Sequence, residues 1–281
     1  KKLSEKLRDL LNDDLNIMSI YSKILSSEDF KTNAGIISFS SFQAGRVLKY
    51  EDLLPVMYLY FELNGYPNGN AIRHIIIDEA QDYSLLQFHM LKKIFHKASF
   101  TILGDIHQTI NPYYIYNNLN EINSIFDNNG RYIELTKTYR SSEEIIDFTN
   151  HILGNNNACS VRRSNSIPVV FRDVEREQAI EQLVIDINQM KENGMKRIAI
   201  ITKNNAETID LYVSLKEQFS SINLIDGDGK KEISDLVILP SYVSKGLEFD
   251  GVILLEEGKT NNLVKYIMCT RALHRLSVIK Y

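Results

Sequence analysis

The chain has 281 residues, 44% hydrophobic and 24% charged, which excludes disorder as its main state and suffices for two domains of ordinary size. Lys+Arg 32 against Asp+Glu 36 gives a net charge of -4, so no whole-protein basic field draws nucleic acid toward it and any such contact is local. Cys159 and Cys269 cannot build a disulfide scaffold, no charged-then-apolar leader is read near residue 1, and no apolar run nears the ~20 residues that span a bilayer. A reducing cytoplasm without membrane insertion is the expectation. The first residue is Lys1 rather than Met, which reads as a fragment or a processed product.

From Leu3 to Leu25 apolar residues recur at three- and four-residue spacings, predicting an amphipathic helix or a helical pair. A second helix, Leu53 to Leu63, runs into the breakers Gly65-Tyr66-Pro67-Asn68-Gly69. From His74 onward short apolar runs alternate with helical patterns, the signature of βαβ units and a parallel sheet. Ile75-Ile76-Ile77 reads as a buried strand and Phe100–Leu103 as another, with a crossover helix carrying Leu85, Phe88, Leu91, Ile94 and Phe95. Tyr132–Leu135 is predicted as a third strand, and Ser141 with Glu144 as a capping box opening a helix that reaches Leu153. The loop Gly154–Asn157 is the best candidate for a domain boundary. Beyond it, strands are predicted at Val169–Phe171, Arg197–Ile201, Leu236–Leu239, Gly251–Leu255 and Leu276–Ile279. Helices fall at Ala179–Met190, Glu207–Phe219 and Leu263–Ala272. The fold class is α/β with two consecutive parallel-sheet domains.

In such sheets ligands bind beyond the carboxyl ends of the strands. There this chain concentrates its polar residues: Asp78-Glu79-Ala80-Gln81-Asp82, Gly104-Asp105-Ile106-His107-Gln108, Thr138-Tyr139-Arg140-Ser141 and the stretch Ser241 to Asp250. The last predicted helix carries Cys269-Thr270-Arg271-Ala272. An Asp at the end of an apolar strand can hold Mg²⁺ through water, and the adjoining Glu can take a proton from an attacking water, the Walker B arrangement. Taken singly, each box also has a plain structural reading as a helix cap, a glycine turn or a surface arginine.

In their order the boxes resemble the motor core of superfamily 1 helicases of the UvrD/Rep type. They stand as Asp-Glu-x-Gln-Asp at 78–82, Gly-Asp-x-x-Gln at 104–108, Tyr-Arg-Ser at 139–141, Lys-Gly-Leu-Glu-Phe at 245–249 and Thr-Arg-Ala at 270–272. The resemblance covers about residues 72–281 and implies two RecA-like domains of the P-loop NTPase type, the first incomplete, clamping ATP between them. It implies Mg²⁺ on Asp78, Glu79 as the catalytic base and Gln108 as the sensor of the γ-phosphate. Tyr139 would stack on adenine, Arg140 and Arg271 would neutralise the transferred phosphoryl, and Glu248 would touch the ribose. No Gly-x-x-x-x-Gly-Lys-Ser/Thr run occurs in the sequence, and in the family that loop lies upstream of the Asp-Glu box. The chain is therefore expected to be the C-terminal part of a larger motor. Residues 1–33 would form a helical arm or packing segment, 34–154 the C-terminal part of the first RecA-like domain, and 155–281 the second.

Two departures bear on the partner. Tyr242 stands where DNA-translocating members usually carry His, and Asn111–Tyr116 stands where they usually carry an aromatic-Arg-Gly segment. The segments Tyr50–Pro55, Asp78–Ser84 and Tyr242–Asp250 look more like the HelD family, helicase-like proteins that release RNA polymerase from nucleic acid. Three readings follow: a HelD-like ATP-driven motor acting on RNA polymerase, a conventional UvrD/Rep-type DNA helicase, and a nucleotide-independent binding or scaffold fragment. Tyr113, Tyr114 and Tyr116 could stack on bases or pack internally. Arg162-Arg163 and Lys230-Lys231 read as solvated basic pairs, and the six histidines show no metal-ligand spacing.

Overall fold

The computed structural model of the protein describes residues 17–25, 27, 50–109, 116–154, 158–162, 164, 167–226 and 234–281. They group into two compact units, the first within 1–106 and 113–132, the second within 107–112 and 133–281.

In the first unit, helices α1 (Ile17–Leu25) and α2 (Tyr50–Asn64) pack through Ile20, Tyr21, Leu59 and Leu63. The Tyr21 hydroxyl donates to the buried Asp52 carboxylate at 2.6 Å. Residues 3–16 of the predicted first helix, and most of the predicted 1–33 segment, lie outside the described residues. The breaker cluster ends α2 as expected: Gly65 follows Asn64 with φ +92, where a side chain would be strained. Strand β1 (His74–Ile77), helix α3 (Leu85–Ile94) and strand β2 (Ser99–Ile102) then form a parallel βαβ unit in which His74 pairs with Ser99 and Ile77 with Ile102. A capping box of Ser84 and Gln87 opens α3. The expectation of a wholly buried first strand needs correction. Ile76 is 69% exposed while Ile77 is buried, because alternate side chains of this sheet face opposite ways and the Phe88 cluster covers the Ile77 side. Tyr116 is buried in that same cluster and donates to the Tyr83 carbonyl, so it is a packing residue, while Tyr113 and Tyr114 lie outside the described residues.

The second unit opens with β3 (Lys137–Thr138), α4 (Glu143–Leu153) and β4 (Cys159–Ser160). It continues as β5 (Val170–Asp173), α5 (Arg176–Glu192), β6 (Ile198–Thr202), α6 (Asn205–Lys216), β7 (Asn223–Leu224), β8 (Leu236–Pro240), α7 (Ser241–Ser244), β9 (Phe249–Glu256), α8 (Asn262–Cys269) and β10 (Ala272–Lys280). Among the described residues these strands form a six-stranded parallel sheet in the order β5-β10-β9-β6-β8-β7. Its two faces separate by period-two alternation. Ile198, Ile200, Leu236, Ile238 and Ile253 meet Leu183 and Ile187 of α5 and Leu215 of α6. Ala199, Ile201, Val237, Leu239 and Leu254 meet Ile145 of α4 and Met268 of α8. The α/β class with parallel sheets is what the strands show.

Four local expectations differ from the structure. Tyr132–Leu135 is not a strand: the residues are irregular, with Leu135 85% exposed, and pairing begins only at β3, which aligns with β4. High β-propensity forms no strand where no neighbour takes its hydrogen bonds. Helix α4 starts one residue later than the predicted capping box, with Ser142 as N-cap and no side-chain cap bond. Ser141 instead donates to the Ala272 carbonyl at 2.7 Å. The last helix ends at Cys269, so Arg271 stands between α8 and β10 rather than on a helix. Finally, the units divide well before the loop Gly154–Asn157, because α4 buries Ile145 in the second core.

A buried ion pair joins α5 to the sheet. Asp186 is 2% exposed and meets Arg172 at 2.9 Å, Gln182 at 3.1 Å and the Ser277 hydroxyl. Removing its carboxylate leaves Arg172 without that partner in a poorly hydrated place. We expect Asp186→Ala to lower stability by about 3 kcal/mol, read from urea unfolding, whereas a loss under about 1 kcal/mol would mean the pair behaves as a surface one.

Candidate functional site

In the first unit the β1–β2 pairing continues past the strands and brings two boxes together. Leu103 N–H donates to the Ile77 carbonyl and Ala80 N–H to the Leu103 carbonyl, each at 2.8 Å. Asp78, exposed at the carboxyl end of β1, accepts the Glu79 N–H on Oδ1 at 2.8 Å. Glu79 has φ 53 and ψ 41, the left-handed region, which costs a non-glycine residue about 1 kcal/mol or more. Its Oε2 accepts from Nε2 of Gln81 at 2.5 Å. Gln81 is almost fully buried in the 3₁₀ turn Ala80–Asp82, and its Oε1 accepts the Asp105 N–H at 3.0 Å.

Among the described residues of the second unit, Arg271 is the largest fully buried side chain. Its guanidinium donates to the Ile267 carbonyl at 3.0 Å, the Thr270 hydroxyl at 3.0 Å, the Leu247 carbonyl at 3.5 Å and Oε1 of Gln108 at 2.7 Å. Arg140 donates to the same Leu247 carbonyl at 3.3 Å, and its Nε lies 3.0 Å from Oε1 of Glu248 as an ion pair without hydrogen-bond alignment. The turn that presents Leu247 depends on Gly246, whose φ of +77 no β-branched residue would adopt readily. Tyr139 is 77% exposed beside Arg140. The structure thus brings together Gln108, Arg140, Glu248 and Arg271 within this unit, and Asp78 with Glu79 within the first.

The backbone under Arg140 is held by the short β3–β4 pairing. Thr138 accepts the Arg140 N–H at 3.2 Å, and Ser160 donates to the Ser141 carbonyl at 3.0 Å. Arg162 donates to the Arg140 carbonyl at 2.9 Å and the Leu273 carbonyl at 3.4 Å, and its NH2 lies 3.0 Å from Nδ1 of His274. Arg162 is therefore not the solvated charge its sequence neighbourhood implied; Arg163 lies outside the described residues. Sequence reasoning missed Gln81 and Arg162, since both act on backbone groups distant in sequence. The position of Gln81 between two carboxylates of one box was the one available signal. Burial pushes the Cys269 thiol well above its ordinary range, which removes it as a nucleophile although it adjoins the Thr-Arg-Ala box.

Residues 15–118 match the family model of the UvrD/REP helicase N-terminal domain. A protein of Acanthamoeba polyphaga mimivirus named as an ATP-dependent DNA helicase is 28% identical over 255 residues, covering 78% of this chain and 36% of that protein. A DNA helicase II homolog of Mycoplasma capricolum is 31% identical over 118 residues, covering 39% of this chain and 16% of its own. The solved C-terminal domain of a protein described as a DNA helicase from Lactobacillus plantarum has 28% identity and a TM-score of 0.43, over 51% of this chain and 87% of that one. The chain spans little more than a third of the mimivirus protein, 36% of its length. By sequence the chain is similar to proteins named as DNA helicases and, over residues 15–118, to the UvrD/REP helicase N-terminal domain.

Proposed function

We propose that this chain is the C-terminal motor portion of an ATP-hydrolysing helicase of the UvrD/Rep type. The observation that carries the reading is the convergence of Arg140 and Arg271 on one carbonyl oxygen, that of Leu247, at 3.3 and 3.5 Å. Two guanidinium groups directed at one oxygen stand where both can reach a single added anion. A loose phosphoryl transition state, with charge spread over its oxygens, is such an anion. In this reading Arg140 and Arg271 stabilise the transferred phosphoryl, Gln108 sits beside it, Tyr139 offers its exposed ring to the base and Glu248 meets the ribose. Asp78 is an exposed hard-oxygen donor at a strand end, and Mg²⁺ takes one or two protein carboxylates and fills its shell with water and phosphate oxygens. The donor therefore fits the ion, which when bound neutralises phosphate charge. Glu79 takes the proton of the attacking water.

In the full-length protein, Glu79→Gln is expected to lower turnover by about 10²-fold or more while ATP binding is kept, since the amide preserves shape but cannot take the proton. Near-normal kcat in that variant removes Glu79 from the base role. The 281 residues alone are expected to show no appreciable ATPase, because they contain no lysine-bearing phosphate loop.

The relatives' names point to DNA as the partner. A second reading, RNA polymerase as for HelD, is favoured by Tyr242, which is 46% exposed where DNA-translocating members usually carry His. Paired titrations of the full-length protein with single-stranded DNA and with purified RNA polymerase, at one physiological salt concentration, separate them. Weak strand binding with tight polymerase binding is the HelD-like outcome. Tight, steeply salt-dependent strand binding that stimulates turnover, without polymerase binding, makes the protein a conventional helicase. ATP hydrolysis with neither ligand bound keeps the motor and rejects both partners.

A further inference from the structure

The first two boxes share one buried side chain. Gln81 is 1% exposed, and both ends of its amide are engaged: Nε2 with the Glu79 carboxylate at 2.5 Å, Oε1 with the Asp105 N–H at 3.0 Å. The chemistry of these neighbours fixes which way the amide points, because the reverse orientation would set its oxygen against a carboxylate and its NH2 against a backbone N–H. Glu79 holds a left-handed backbone, φ 53, a conformation that a non-glycine residue keeps only where its surroundings over-determine it. The Gln81 bond is one such restraint, and it acts on the carboxylate itself.

Gly104 completes the arrangement. A Cβ there would lie 2.6 Å from Oε1 of Gln81, 3.0 Å from the Ala80 nitrogen and 3.2 Å from the Ala80 Cβ. Its φ is not in the left-handed region, so the backbone does not require glycine. The space occupied by the Gln81 amide does. Of the three clashing atoms, Oε1 is the one at the free end of a side chain, so an added methyl would displace the amide first.

We infer that Gln81 is a positioning residue that holds the Glu79 carboxylate to the Gly104-Asp105 backbone, and that Gly104 is glycine to admit its amide. This deepens the ATP-hydrolysis reading and rests on it. A general base works only within hydrogen-bond reach of the water it deprotonates, so a carboxylate released to sample other rotamers loses rate without losing nucleotide affinity.

The test compares the full-length protein with its Gln81→Met and Gly104→Ala variants. Methionine keeps the length of the side chain and removes the amide; the alanine leaves Gln81 in the sequence and pushes it aside. Steady-state turnover gives kcat, equilibrium titration with Mg²⁺-ATP gives Kd, and hydrogen exchange at the Asp105 amide reports whether the clamp has opened. Each variant is expected to lower kcat about 10–100-fold, to change Kd by less than about threefold and to speed Asp105 exchange. The double variant should lose no more than about twofold beyond either single one, since both open the same clamp. Turnover within about twofold of the parent in Gln81→Met, or a loss carried by Kd rather than kcat, overturns the positioning role while leaving the ATPase reading intact. Absence of ATP hydrolysis in the parent protein rejects that reading and the Gln81 role with it.

Discussion

A parallel sheet covered on both faces has no interior place for polar chemistry, and the second unit is organised by that constraint. All five residues of β6 and all five of β8 are buried, and their alternate side chains enter two separate cores. Backbone hydrogen bonds are spent within the ladder, and each crossover returns the chain to the same end of the sheet. Polar side chains are therefore forced to the strand exits, where Lys203, Ser241 and Glu256 stand after or at the ends of their strands. Ser277, buried inside the sheet, is bonded to Asp186 of α5, as a buried hydroxyl must be.

At the opposite edge, where β9 and β10 begin, register converts directly into the position of functional groups. Phe249 N–H donates to the Arg271 carbonyl at 3.0 Å, and the β9–β10 pairing sets Ala272 opposite Phe249. Arg271 is thus tied by its own backbone to the strand that follows Leu247 and Glu248, the residues its neighbour Arg140 also meets. A slip of one residue along β10 would reverse the side of the sheet on which each side chain lies and carry the arginine out of this cluster. The hydrophobic alternation of the strands therefore fixes where the charges stand.

The strands of the second unit were legible because unbroken Ile, Val and Leu runs are what full burial demands. The elements that eluded the sequence depend on partners it does not name. Tyr132–Leu135 has the composition of a strand but no strand beside it among the described residues, and Thr270-Arg271 could extend a helix had β9 not claimed the next residue. Ser141 and Ser142 are adjacent hydroxyls, either of which could cap α4; the Ala272 carbonyl takes the first. The boxes themselves were readable as boxes, through residue types in order. Gln81 and Arg162 were not readable as parts of the site, because what they touch are backbone groups 24 and 22 residues away.

The partly buried Arg172 and Lys265 and the fully buried Arg271 of the second unit differ in what they face. Arg172 meets Asp186, and Lys265 meets Glu256 at 2.6 Å; in each pair the charges cancel and an element is fastened to the sheet. Arg271 is bonded, among others, to the oxygens of Ile267, Thr270, Leu247 and Gln108, neutral groups that orient the guanidinium. Burying a cation is expensive in desolvation. Stability alone would favour an apolar side chain of similar volume at such a site. Under the proposed reading, an arginine oriented by neutral oxygens, with Arg140 directed at one of those same oxygens, is a preorganised field for the anionic phosphoryl group.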